Sequence, residues 1–224
     1  MKIAAVIPAL NEEKAIGRVL SDLKGRVDLV VVVDDGSCDK TSQVASNFGV
    51  PVLSHIINCG QGAALQTGID YCLGKDIDII VTFDADGQHD PGDIKTLIAP
   101  IINNQADIVL GSRFIKKQNL GMPVLKYLVI KLAVQFDKIR TGLAITDTHN
   151  GLRAISRQAA EKIKIQQDGM AHASEILEQI AKYQLKYIEI PVKVRYTDYS
   201  KKKGQSVFNS IKILSDLFLA KISK

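Results

Sequence analysis

The chain has 224 residues, 46% hydrophobic and 24% charged, enough for a sizeable core and unlike disordered or collagen-like compositions. Its net charge of +5 hides an asymmetry: residues 1–112 hold 8 Lys/Arg against 15 Asp/Glu, net −7, and residues 113–224 hold 21 against 9, net +12. No window offers the roughly 18 uninterrupted apolar residues of a spanning helix, and residues 1–10 lack the basic flank and cleavage site of a leader, so a cytoplasmic chain is expected.

Taken in chain order, apolar runs at 3–7, 29–33, 52–57, 77–83 and 108–110 are predicted as buried strands. Apolar residues at helical spacing fall between them, at 12–23, 40–48, 62–73 and 91–102. This alternation predicts an α/β architecture with right-handed crossovers and a mostly parallel sheet flanked by helices, whose ligands bind beyond the carboxyl ends of the strands. After Ser112 the pattern changes. Residues 122–139 read as an apolar helix punctuated by Lys126, Lys131 and Lys138, followed by a loop with Asp147, Asn150, Gly151 and Arg153. A helix at 172–183, short strands at 187–190 and 192–196, a basic loop at 200–204 and an amphipathic helix at about 207–222 complete the reading. Neither a linker-like stretch nor an internal repeat divides the chain, so one domain is expected.

Asp84-Ala85-Asp86 ends the fourth run with two carboxylates one residue apart. Together they can approach one hard cation and leave its other positions to phosphate oxygens. Gly87, Gln88 and His89 extend this loop. Asp34-Asp35-Gly36-Ser37 follows the second run, where a carboxylate can accept from a nucleobase or a ribose hydroxyl, and can equally cap the next helix. Asn58-Cys59-Gly60-Gln61-Gly62 lacks both the third glycine of a dinucleotide fingerprint and the Gly-Lys-Ser/Thr ending of a P-loop, and reads as a tight turn before a helix. Cys38, Cys59 and Cys72 are odd in number and lack CxxC spacing, so they read as free thiols. The spacing of His55, His89, His149 and His172 indicates no metal cluster, and His89 alone lies beside the acidic loop.

The segments IPALNEE (7–13), VVVDDGSCDKT (31–41), NCGQGAALQTG (58–68), FDADGQHDP (83–91), GSRF (111–114), DTHNGLRAISR (147–157) and the stretch 172–206 occur in one order. Together they resemble the family 2 glycosyltransferases of the GT-A fold, in particular the dolichol- and polyprenyl-phosphate hexose synthases. The resemblance implies a Rossmann-like GT-A domain over 1–224, with a nucleotide-sugar and metal half (1–112) and a basic acceptor half (113–224). It places Pro8, Leu10, Asn11, Glu12, Asp35, Gly60 and Asp84-Ala85-Asp86 around the nucleotide sugar, with Mg²⁺ or Mn²⁺ on Asp84 and Asp86. Asp84, Asp86, Gln88 and Arg113 become the catalytic set, and Arg153, Arg195 and Lys203 face the acceptor phosphate. Gln61 stands where a lysine is common.

The implied reaction moves a hexose, with inversion, from a UDP- or GDP-sugar to a polyprenyl phosphate for cell-surface glycan assembly. A phosphate monoester, with a second pKa of about 6, is largely ionised near neutrality and needs no general base. Suppressing repulsion between two phosphates becomes the main task, which the −7 and +12 halves suit. The lipid acceptor implies a peripheral enzyme at the cytoplasmic membrane face, held by its lysines or by a small membrane partner protein. A same-fold enzyme acting on a sugar hydroxyl would instead need a base such as Asp147 or Glu175. Intact Asp84, Asp86 and Arg113 argue against a non-catalytic nucleotide-sugar-binding subunit. The absence of Trp and 5% aromatic content argue against nucleic acid as a partner.

Overall fold

The first five apolar runs become strands β1 (Ile3–Ala9), β2 (Leu29–Asp34), β3 (Val52–Ser54), β4 (Ile79–Thr82) and β5 (Ile108–Ser112). Helices α1 (Ile16–Leu23), α2 (Thr41–Ser46), α3 (Gln61–Leu73) and α4 (Asp93–Ile102) alternate with them. The remainder comprises α5 (Val124–Thr141), β6 (Arg153–Ser156), α6 (Arg157–Lys162), α7 (His172–Lys182) and β7 (Tyr187–Pro191). This computed structural model describes residues 1–115, 124–169 and 171–195. The predicted basic loop at 200–204, with Lys203, and the predicted helix at 207–222 lie outside the described residues.

One seven-stranded sheet, in the order β3-β2-β1-β4-β6-β5-β7, takes strands from both halves of the chain. All neighbours pair in parallel except β6, which runs antiparallel to β4 on one side and β5 on the other. Strand periodicity divides the core. On β1, Ala4 and Val6 face one way, against Leu65 and Ile69 of α3, while Ala5, Ile7 and Ala9 face α1 and α4 through Val19, Leu20 and Leu97. The first layer continues through Ile130 and Val134 of α5 and Ile176, Leu177 and Ile180 of α7. Each such Val, Leu or Ile contributes about 1.5–3 kcal/mol on burial.

Three expectations are corrected. Strand β3 stops at Ser54, and Ile56 and Ile57 beyond it are 100% and 70% exposed, because this edge strand has a partner only on its β2 side. The loop predicted through Arg153 instead enters β6, with α6 directly after it. The predicted strand at 192–196 is reduced, among the described residues, to one bridge pairing Val194 with His89. Among the described residues no helix is long and apolar enough to cross a membrane.

Candidate active site

The carboxyl edge of the parallel strands gathers the polar residues, as the connectivity requires. Asp84 lies just past β4, and its carboxylate is fixed from three directions. The His89 Nε2 lies 2.8 Å from Oδ2, and the Gln61 side-chain amide donates to Oδ1 at 3.3 Å. From the third side the backbone of Gly151 closes in so tightly that a Cβ there would lie 2.3 Å from Oδ1 and 2.5 Å from Oδ2. His89 is itself buried, with its ring edge-on to Phe83 at 5.3 Å. Asp86 accepts the backbone N–H of Gln88 at 2.9 Å, which turns the loop so that both carboxylates stand together.

The charges oppose one another across a short distance. Burial pushes Asp84 up, but the charge and hydrogen bond of His89, with Arg153 behind, leave it below the usual carboxylate range. Burial first, and Asp84 second, push Asp86 up to about 6. Two half-buried carboxylates, close enough that Asp84 disfavours the charge on Asp86, form an oxygen-rich donor set that suits a hard divalent cation. Arg153 is 3% exposed, donates to the Thr148 carbonyl at 3.1 Å, and leaves Nη1 buried without a partner. Burial lowers it to about 10, against the pull of Asp84 and Asp147, so it stays cationic near neutrality. Burial also drives His149 and His172 down to about 4, leaving neutral imidazoles beside it.

The other expected residues fall into distinct places. Pro8 is inside β1, and Leu10, Asn11 and Glu12 follow it in a loop stitched to the one after β2: Asn11 N–H donates to Ser37 Oγ at 2.9 Å and Glu12 N–H to Thr41 Oγ1 at 2.7 Å. Asp35 accepts the backbone N–H groups of Cys59 and Gly60 at 2.8 and 2.7 Å, and His55 Nδ1 lies 2.7 Å from it. It therefore anchors the loop that opens α3, where Gly60 has φ +98° and could carry no side chain without meeting the Asp168 carbonyl. Ala85 is buried between Asp84 and Asp86. Gln88 stays at the acidic loop, its carbonyl accepting the Arg195 N–H at 2.8 Å.

Arg113 forms a two-pronged ion pair with Asp147, Nε and Nη2 each 2.7 Å from a carboxylate oxygen. Arg113, expected in the catalytic set, is thus engaged by a carboxylate. Arg195 pairs with Asp90 at 2.9 Å and lies along the acidic loop, not apart from it. The contacts of Gln61 and Gly151 with Asp84 are beyond sequence reasoning, since they join residues separated by 23 and 67 positions.

Residues 4–164 match the family model described as Glycosyl transferase family 2. An uncharacterised protein of Methanocaldococcus jannaschii is 42% identical, over 99% of this chain and 93% of its own length. The UDP-N-acetylglucosamine–dolichyl-phosphate N-acetylglucosaminyltransferase of Methanococcus voltae is 36% identical over 99% of this chain and 97% of its own. Among solved structures, glucosyl-3-phosphoglycerate synthase of Mycobacterium tuberculosis, in complex with Mn²⁺ and UDP-glucose, superposes with a TM-score of 0.74 at 20% identity, covering 96% of this chain and 77% of that one. The shared architecture is the GT-A fold.

Proposed function

This chain is a glycosyltransferase belonging to glycosyl transferase family 2, and we propose that it transfers a hexose, with inversion, from a UDP- or GDP-sugar to a polyprenyl phosphate. The observation that carries the reading is the pairing of Asp84 and Asp86 at the carboxyl edge, in a chain alignable almost end to end with a dolichyl-phosphate sugar transferase. Mg²⁺ or Mn²⁺ held by these two carboxylates would neutralise the diphosphate leaving group. The chain's own part is positional. His89, Gln61 and Gly151 fix the direction of Asp84, and the loops at 10–13 and 58–60 form the nucleotide side. Arg153 supplies a permanent buried positive charge behind the acidic loop.

A phosphate acceptor is favoured over a sugar hydroxyl by the state of the two carboxylates that could act as base. Asp147 has both oxygens on Arg113 and is held below the ordinary range: burial pushes it up, but the guanidinium more than offsets this. Glu175 accepts the backbone N–H groups of Gln166 and Gln167. An acceptor already ionised needs neither. Arg153, Arg195 and Lys203 are the proposed acceptor-side cations.

The lipid acceptor implies docking at the cytoplasmic face of a membrane. Helix α5 supports this by presenting Leu128, Leu132 and Ile139 to solvent, with Lys131, Lys138 and Arg140 alongside, the composition of an interfacial helix. The test is incubation with a panel of labelled nucleotide sugars, a divalent cation and polyprenyl phosphate. Label should pass into organic solvent as a lipid phosphate cleaved by mild acid. Label found only in water-soluble or acid-stable product overturns the assignment.

A further inference from the structure

Three chemically different ligand types meet away from the acidic loop. Asp35 follows β2, His55 follows β3 and Cys59 precedes α3, and a ligand atom of each lies within 4.8 Å of the other two. Cys59 is exposed, while the side chains of His55 and Asp35 are 17% and 4% exposed. The inner two are already oriented. His55 Nδ1 faces Asp35 Oδ1 at 2.7 Å, and its Nε2 faces Thr67 Oγ1 at 3.0 Å. The Cys59 and Gly60 N–H groups hold the Asp35 carboxylate in place. The Thr67 hydroxyl on the far nitrogen is the outer-shell support typical of metal-ligating imidazoles.

The geometry points to a second cation site, for a thiophilic divalent ion of the zinc type, held by Asp35 Oδ1, His55 Nδ1 and Cys59 Sγ with water completing four-coordination. A sulfur–nitrogen–oxygen set selects against Mg²⁺ and Mn²⁺, which take oxygen ligands, so the site is chemically distinct from the Asp84–Asp86 pair. Zinc bonds of about 2.0–2.3 Å place tetrahedral ligand atoms about 3.5 Å apart. Rotation of the exposed Cys59 side chain closes the remaining ångström or so, and the His55 Nδ1–Asp35 Oδ1 pair, 2.7 Å apart without the ion, opens by about 0.8 Å. The protons balance: the Cys59 thiol releases one to solvent as it binds, and Asp35 contributes a carboxylate oxygen. The imidazole moves its single proton from Nδ1, where Asp35 accepts it in the metal-free protein, to Nε2, where Thr67 Oγ1 accepts it, and so frees the Nδ1 lone pair for the ion. The bound ion ties the ends of β2 and β3 to the entry of α3. Sequence spacing conceals the site because its ligands come from two loops, Asp35 standing 20 positions before His55.

Titration of the full chain with Co²⁺ in saturating Mg²⁺, as a spectroscopic substitute for zinc, tests the inference. One equivalent should bind, with near-ultraviolet thiolate-to-cobalt absorption, release of protons, a rise in Tm and displacement by Zn²⁺. Cys59→Ser should lose the band and the Tm increment while keeping the Tm of the metal-free protein, since the Cys59 side chain makes one weak contact, Sγ to the Ile57 carbonyl at 3.4 Å. Cys38→Ser should keep the band, and His55→Gln should lose tight binding. A thiolate band that survives Cys59→Ser, or none at millimolar Co²⁺, overturns the site.

Discussion

Replacing Gly151 by Ala adds one methyl group at the place where the chain comes closest to the acidic loop. The new Cβ would lie 2.3 and 2.5 Å from the Asp84 oxygens, whereas ordinary contact begins at 3.4 Å, so something must yield by about 1 Å. The backbone gives little, since the Gly151 carbonyl is held by Thr82 Oγ1 at 2.5 Å and the next residue but one enters β6. The Asp84 carboxylate must therefore turn away from His89 and Gln61. Overpacking of this kind costs about 1–3 kcal/mol, which in a domain of this size lowers Tm by about 2–12 °C. A catalytic group misplaced by about 1 Å loses on the order of 10²-fold in rate, or about 2.7 kcal/mol of transition-state stabilisation. The assay is kcat/KM for transfer beside Tm, each measured again in an Asp84→Ala background. There the clashing oxygens are gone, and Gly151→Ala should lower Tm hardly at all. Equal destabilisation in both backgrounds, or full activity of the single variant, would refute the argument that Gly151 is kept bare by Asp84.

Asp86→Ala should abolish transfer with an unchanged circular dichroism spectrum, and excess chelator should do the same to the unaltered chain; activity surviving either removes the cation from the reaction. Arg195→Ala should raise the acceptor KM several-fold and leave nucleotide-sugar binding intact, because its partner Asp90 and its 49% exposed side chain make it cheap to lose; equal loss of donor affinity moves it to the nucleotide side. His149 and His172, lowered by burial to about 4 from 6.5, resist protons that the unfolded chain accepts. Stability should therefore be full above pH 6.5 and fall as pH drops from 6.5 to 4, by up to about 1.4 kcal/mol per unit for each imidazole; NMR titration of either ring near pH 6.5 contradicts this. Sedimentation with anionic liposomes should be substantial, weaken with salt and fall further in Leu132→Glu; salt-independent binding, or none, excludes α5 and the lysines as the docking surface.

Long apolar runs made β1, β2 and β4 legible because strands buried on both faces need little else, and the acidic residues closing those runs marked the ligand edge. Strand β6 was hidden for a physical reason. Arg-Ala-Ile-Ser is short, begins with a charge and has no period, and it becomes a strand because β4 and β5 offer hydrogen bonds on both sides. The converse holds at 192–196, where Val-Lys-Val-Arg-Tyr alternates well yet, among the described residues, forms one bridge, Val194 with His89, instead of a strand. At the site, Asp84 and Asp86 were readable from spacing. Of the partners that decide how they behave, His89 stood visibly beside the loop, but Gln61 and Gly151 approach only after folding, and the pairing of Arg113 with Asp147 joins positions 34 apart.

The antiparallel β6 has a consequence for how such a chain can diversify. Because β6 runs against its neighbours, its first residue stands beside the end of β5, with Leu110 opposite Arg153. Residues 113–152 thus leave the sheet and return to it at adjacent points on one edge. An excursion anchored in this way can be lengthened, shortened or exchanged at little cost in loop-closure entropy while the strands stay in register. The sheet acts as a fixed socket, and the segment carrying the basic, apolar-faced helix α5 is the exchangeable plug.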